Sequence, residues 1–405
     1  MARRAYLDYN ATAPIRAAAA AAVNEALHLV GNPSSVHAFG RAARARLEDA
    51  REAVADLAGA RPAQVIFTSG GTEANGLALA WARRGPVLVS AGEHASVLEA
   101  APEAERIALT GDGLVDLAAL DERLHAAPRP SLVSLMLANN ETGVVQPVAE
   151  AARLARAAGV PLHCDAVQAA GKVALDVEAL GVALMSLSAH KIGGPPGVGA
   201  LIVAEDLDLA PQLRGGGQER RRRAGTENLP GIAGFAAAAR EAAGQLSAFA
   251  GLARLRDRIE AEALALAPDA AVFGAAAPRL ANTTCLAMPG VPAETQVMAL
   301  DLAGVAVSAG AACSSGKVAP SHVLAAMGAE PALADSAIRV SLGWASVPDD
   351  VEAFLAAWAA LHDKTRHAKT RHASRAPASN PASDPASDPP RAPGHEALAK
   401  AGPAG

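Results

Sequence analysis

The stretch SLSAHKIGGPPGVGA, residues 186–200, decides how this chain is read. It opens as a buried strand, delivers Ser188, His190 and Lys191, and then breaks into a turn rich in Gly and Pro. A lysine at the end of a buried strand is unusual, because desolvation disfavours its charge. The same cost is useful where an amine must act as a nucleophile or form a Schiff base. A surface lysine at a strand end is the plain alternative, and the motif alone does not choose between them.

The flanking sequence sets the fold class. VIFTSG (65–70), PVLVS (86–90), SLVSLMLAN (131–139) and PLHCDA (161–166) are short apolar runs upstream, and GALIVA (199–204) follows. Helical stretches such as TEANGLALAWA (72–82) lie between them. That alternation implies an α/β fold with a mostly parallel sheet covered on both faces. PIRAAAAAAVNEALHLVG, beginning at Pro14, has proline at its expected helix start and glycine at its end. HAFGRAARARLEDAREAVADLAG (37–59) reads as an amphipathic helix.

Past about residue 250 the texture changes to a charged helix, short strands and a final helix near DDVEAFLAAWAALH (349–362). The expected organisation is a large domain over 15–250 and a smaller α/β domain from 1–14 and 251–363. The remainder, 364–405, carries a tandem KTRHA and a repeated PASD. Such composition buries too little apolar surface to offset its ordering entropy, so this tail is expected to be disordered.

Composition narrows the class. The chain has 405 residues, enough for two full cores, and its 51% hydrophobic and 19% charged content is that of a soluble globular protein. Aromatics are only 3%, so the cores are expected to be packed from small aliphatics. A formal charge of -5 gives no reason to expect nucleic acid or an anionic membrane as partner. Three cysteines at irregular spacing argue against a disulfide framework and suit a reducing compartment. The start MARRAYLDYNATAP has no apolar core of a secretory signal, and no run of about 18 apolar residues follows anywhere. A cytoplasmic location is the expectation.

Other motifs resolve the ambiguity at Lys191. PLHCDAVQ places Asp165 at the end of another strand, with Gln168 three residues on. FTSGGTEAN places Gly70, Gly71 and Thr72 at a strand-to-helix junction, where free N–H groups and the helix dipole favour a phosphate. A Schiff-base lysine, a carboxylate for a pyridinium nitrogen and a phosphate cradle are what a protein supplies to pyridoxal phosphate. All three fall at strand ends, where open α/β sheets bind ligands.

With these motifs in view, the chain resembles the cysteine desulfurases of the class V aminotransferase group over residues 5 to 362. The likeness runs through YLDYNATAP, GNPSSVHAFGRAAR, FTSGGTEANGLAL, EHASVLE, NNETGVVQP, HCDAVQAAGK, SAHKIGGPPGVGAL, GGGQERRRRAGTEN, GAACSSG and IRVSLG, in that order. It implies the fold-type I, aspartate aminotransferase-like architecture of pyridoxal-phosphate enzymes. It also implies that Lys191 holds pyridoxal 5'-phosphate as a Schiff base, that Asp165 pairs with the pyridine nitrogen and that Gln168 reaches the phenolic oxygen. Gly71, Thr72, Ser188 and His190 should hold the phosphate, and His94 should stack on the ring and relay protons. Asn140, beside the cofactor, and Arg339 should grip the substrate carboxylate, and Asn10 should line the substrate pocket. Thr226 matches a threonine that reaches the phosphate from the other subunit of a homodimer. Of the run Arg220 to Arg223, the first and last fit the family spacing and the middle two look like additions.

The resemblance further implies conversion of L-cysteine to L-alanine, with a persulfide on Cys313 for delivery to an acceptor such as an iron–sulfur scaffold. Cys313 lies in SAGAACSSGKVAPSH (308–322), whose small residues suit a mobile carrier and whose length resembles the longer-loop branch of the family. Selenocysteine lyase is the nearest rival reading, an aminotransferase a weaker one, and a sulfur-delivery protein with little catalysis a third. The tail lacks the ending usual in the housekeeping members, which leaves the acceptor open. Cys164 and Cys285 read as small core hydrophobes, His37 and His163 as a helix start and a core position, and no metal site is expected.

Overall fold

The computed structural model describes residues 4–82, 85–204, 207–310 and 320–373, and side chains as far as 366. In chain order the strands are β1 (Ala5–Tyr6), β2 (Val65–Thr68), β3 (Val87–Ser90), β4 (Glu105–Ile107), β5 (Leu132–Ser134), β6 (Leu162–Asp165) and β7 (Leu184–Ser188). They continue with β8 (Gly199–Val203), β9 (Ala271–Phe273), β10 (Thr283–Ala287), β11 (Val305–Ala306), β12 (Ser308–Ala309) and β13 (Ala337–Ser341).

Seven of them form one sheet in the order β2-β8-β7-β6-β5-β3-β4. All neighbours in it are parallel except β8, which runs against both β2 and β7. Side-chain alternation divides this sheet between two cores. Phe67, Leu88, Val133, Met185 and Ile202 face one cluster, which includes Val54 and Phe235 from flanking helices. Ile66, Val89, Leu132, Leu184 and Leu201 face the other, with Leu77. Successive residues on a strand point to opposite faces, so covering both faces makes each strand apolar throughout, as the sequence runs implied.

A second, antiparallel sheet runs β12-β13-β10-β9, and β1 pairs in parallel with β11 beside it. Ala5 and Leu7 pack into the same cluster as Ile259, Leu286, Leu300, Ile338, Phe354 and Trp358. The N-terminal segment thus belongs to the smaller lobe. Asp8 bridges to Ser341, which continues that join toward the cleft.

Two boundaries differ from the sequence reading. The first helix is Ala17–Leu27 rather than starting at Pro14. Arg16 is kept extended because its N–H donates to the Gly193 carbonyl and its guanidinium to the Ile192 carbonyl and Glu241. The compact unit ends at Lys364, but the last helix spans Pro348–Ala373. The KTRHA repeats contain no helix breaker before Pro377, so residues 364–373 continue the helix where disorder was expected. Among the described residues no helix is long and apolar enough to cross a membrane.

Candidate active site

Since β2 and β7 both run against β8, the C-terminal ends of β2, β6 and β7 share one edge of the large sheet. Asp165 closes β6, Ser188 closes β7, and Lys191 ends the short 3-10 turn Ala189–Lys191 directly after it. Following β2, Gly70 caps the helix Gly71–Trp81 with φ 154° and ψ -178°, a conformation that suits glycine. A Cβ on Gly71 would sit 2.9 Å from Val167 Cγ2. Glycine therefore keeps the helix N-terminus, with Thr72 in its first turn, close against the Asp165 loop.

Lys191 is held by the N-terminal segment. Its Nζ donates to the carbonyls of Asn10 at 2.7 Å and Ala11 at 2.8 Å. Burial, then the charge of Arg339, pull its pKa down to about 8 against the opposing charges of Asp8 and Asp165. An amine so tuned is neutral in a useful fraction near neutral pH. His190 meets Thr12 Oγ1 through Nδ1 at 3.1 Å, and burial followed by Lys191 lowers its pKa to about 4.

Asp165 is buried and doubly anchored. Its Oδ1 accepts from the Val167 N–H at 2.9 Å and its Oδ2 from Asn75 Nδ2 at 2.7 Å. The other hydrogen of Asn75 Nδ2 goes to Ser96 Oγ at 2.8 Å, and Ser96 Oγ lies 2.8 Å from His94 Nδ1. The Ser96 N–H also points at His94 Nδ1, 3.1 Å away. With Ser96 accepting from Asn75 and donating onward, His94 Nδ1 is an acceptor and its N–H sits on Nε2. Burial lowers the His94 pKa below the ordinary value, Asp165 opposes this, and Lys191 and His322 add to it.

On the opposite wall, Arg339 of β13 donates through Nη2 to Asp8 Oδ1 at 2.7 Å and through Nη1 to the Asn140 carbonyl at 3.1 Å. Its buried Nε has no partner. Asn10 also reaches the Asn140 carbonyl, so Asn10, Asn140 and Arg339 do come together. The Asn10 side chain is fully engaged: Nδ2 donates to Thr283, and Oδ1 accepts from Lys172 and Asn282. What Asn10 turns to Lys191 is its carbonyl, which Gln168 Nε2 shares at 2.9 Å.

Thr226 is exposed, in the loop before the helix Leu229–Gly244. In the arginine run, Arg223 pairs with Glu73 through two contacts of 2.9 and 3.2 Å, and Arg220 donates to the Ala63 carbonyl. Glu219 to Arg221 all have positive φ, 44°, 56° and 66°, a strained run fixed by the buried Glu219 carboxylate on Arg51. Cys313 lies outside the described residues. On its C-terminal side, Ser321 Oγ donates to Glu141 at 2.6 Å and His322 Nε2 lies 2.9 Å from the Glu93 carbonyl.

Cys164 and Cys285 are buried with their thiols pushed to higher pKa by burial, as suits core residues. His163 is fully buried between Ser134 Oγ and Ser186 Oγ at 2.8 and 2.9 Å, and burial takes its pKa to about 4. His37 caps the helix Ala38–Ala58. Sequence reasoning missed Asp8, Asn75, Ser96 and Lys172. Asn75 carried a signal, since asparagine is a poor choice inside a helix.

The donor set suits a phosphorylated pyridine aldehyde: an amine of low pKa, a buried carboxylate opposite it, and a helix N-terminus with Thr72 and Ser188 hydroxyls. Among the described residues no cluster of His, Cys, Asp or Glu could hold a metal ion. The sequence model of the class V aminotransferases matches residues 5–354. The chain belongs to that family.

Within the class V aminotransferases the likeness is to cysteine desulfurases. An IscS-like cysteine desulfurase of Mycobacterium tuberculosis is 43% identical over 370 residues, 87% of this chain and 94% of that protein. A cysteine desulfurase of Cereibacter sphaeroides is 43% identical over 378 residues, 90% of this chain and 97% of that one. The solved structure of a NifS-like protein from Rickettsia africae superposes with a TM-score of 0.83 at 34% identity, covering 89% of this chain and all of that one.

Proposed function

We propose that the protein is a pyridoxal-phosphate-dependent cysteine desulfurase that releases L-alanine from L-cysteine and keeps the sulfur as a persulfide on Cys313. The observation that carries this reading is Lys191, an amine of pKa about 8 at the strand-end edge that also holds Asp165 and the glycine-capped helix. Bound pyridoxal phosphate supplies an electron sink for charge developing on the substrate.

The chain's own groups supply the rest. Gly71 and Thr72 at the helix N-terminus, with Ser188 and His190, would bind the phosphate, and Asp165 would pair with the pyridine nitrogen. Asn75 keeps that carboxylate in place. His94, with its N–H on Nε2, would cover the ring, and Gln168 would offer an amide N–H. Arg339, with Nε free and Asn140 beside it, takes the substrate carboxylate. Lys191 would hold the cofactor and would move the proton at the substrate Cα. In the net reaction the substrate Cβ–S bond breaks and its sulfur bonds to Cys313 Sγ. The thiol of L-cysteine thus ends as Cys313–S–SH, and the carbon skeleton leaves as alanine.

Thr226 contacting a partner subunit's phosphate, a homodimer and delivery to an iron–sulfur scaffold complete the reading. The purified protein given L-cysteine and a thiol reductant should form L-alanine and sulfide in equal amounts. Cys313→Ala forming alanine at the wild-type rate removes the nucleophile from the scheme. An oxo acid as the product instead of alanine makes the protein an aminotransferase.

A further inference from the structure

Lys172 closes the segment HCDAVQAAGK and has no part in the scheme above. It is buried, at 7% exposure, in the layer beneath Lys191. Its Nζ donates to Gln168 Oε1 and to Asn10 Oδ1, each at 2.7 Å. Among the described residues no carboxylate pairs with it. Burial, then the charges of Lys191 and Arg339, hold its pKa well below the ordinary lysine value.

An amine sunk among amides without a counter-ion is a poor choice for filling space. A methionine has similar volume and would avoid the desolvation. What the amine does is remove an ambiguity. A glutamine amide can present oxygen or nitrogen to a given neighbour with almost the same shape. Nζ donates to Gln168 Oε1, which holds that oxygen on its own side and turns Nε2 to the side of Lys191. There Nε2 now donates to the Asn10 carbonyl that Lys191 also uses. The second bond of Nζ fixes Asn10 in the same way: Oδ1 is kept on Lys172, and Nδ2 is left for Thr283 and Asn140.

We propose that Lys172 is a positioning residue: it locks the Gln168 amide with its N–H group toward Lys191, where it donates to the phenolate oxygen of bound pyridoxal phosphate. The inference rests on the function proposed above. A donor on the phenolate stabilises the anion, so the chromophore built on Lys191 gives up its shared proton at lower pH. Without a fixed donor the phenolate holds that proton more tightly.

The test is a pH titration of the visible absorbance of the holoenzyme in wild type, Lys172→Met, Gln168→Leu and the double variant. Lys172→Met should raise the midpoint by about one pH unit, about tenfold in the ionisation constant, the size expected for one lost charge-assisted bond. Gln168→Leu should do the same, and the double variant should shift no further than Gln168→Leu alone. A wild-type midpoint in Lys172→Met overturns the proposal, whatever happens to its melting temperature. Full additivity of the two shifts also overturns it. If Lys172→Met does not fold, Gln168→Glu keeps an acceptor for Lys172 while removing the donor, and an unchanged midpoint there is equally fatal. Should wild type take up no pyridoxal phosphate, the functional reading fails as well; normal uptake with an unshifted Lys172→Met sinks this inference alone.

Discussion

On the large-lobe wall of the cleft, Asp165 and Ser188 end their strands and Lys191 follows three residues later. On the small-lobe wall, Arg339 sits mid-strand and meets Asp8 across 331 residues of sequence. The first wall follows a local rule, since parallel strands sharing a direction bring all their C-terminal loops to one edge. The second obeys no local rule and exists only because β1 pairs with β11 and Asp8 bridges to Ser341 of β13. In the proposed scheme the groups that would hold the cofactor lie on the first wall, and Arg339, proposed to take the substrate carboxylate, on the second.

The largest test of that division is Lys191→Ala, which should lower alanine formation by roughly 10³-fold or more and abolish the visible absorbance with the fold retained by circular dichroism. In the wild-type apoprotein, uptake of pyridoxal phosphate needs the neutral amine. Its rate should climb with pH and level off above about 8, because protonation below that value removes the lone pair. A rate independent of pH between 6 and 9, roughly the window of that titration, breaks the assignment of a tuned lysine.

Next in size is a stability effect on the same wall. His163 behind Asp165 stays neutral in the folded state down to about 4, while the unfolded chain protonates it at its ordinary value. The unfolded state therefore binds more protons between about 6.5 and 4, and stability falls with acidification through that window. The loss should approach about 3 kcal/mol, and His163→Asn should flatten the slope in urea denaturation.

On the opposite wall, Arg339→Lys keeps charge but loses the planar fork, so kcat/KM for L-cysteine should fall about 10- to 100-fold, mainly through KM. A fall confined to kcat would move Arg339 from recognition to chemistry. Smallest is Ser96→Ala, which removes the hydroxyl contact to His94 Nδ1 while keeping the backbone N–H one, and should cost roughly 3- to 10-fold in kcat. An unchanged rate would leave that serine a purely structural neighbour.

The contrast between the walls also explains what could be read in advance. Gly70, Gly71, Thr72, Asp165 and Lys191 were legible because each sits beside a strand run whose apolar pattern gives its position away. Asp8 and Lys172 were not, because nothing adjacent in sequence distinguishes them from surface charges. The approach of β13 to Asp8, and of Asn10 to Lys172, gives them their long-range partners, beside the local bond of Lys172 to Gln168. Asn10 was expected to line the substrate pocket; its side chain is tied inward, and it is its backbone carbonyl that meets Lys191. Backbone roles of this kind leave no residue-type signal. The helix limits at Pro14 and beyond Lys364 show the ordinary weakness of boundaries, one moved by Arg16 and the other by the lack of a breaker.

The position of Asn10 has a consequence for how the protein is made. Its backbone N–H is satisfied by Ser341, 331 residues later, and its side chain by Thr283, 273 residues later. This segment leaves the ribosome long before its partners and must wait, unpaired, until β10 and β13 have been synthesised. The seven-stranded sheet can form around Lys191 long before that, but the lysine's clamp on Asn10 and Ala11 cannot. Nascent chains halted before β13 should therefore have a folded large lobe with an open, unguarded amine, and completion of the site is a late event in biosynthesis.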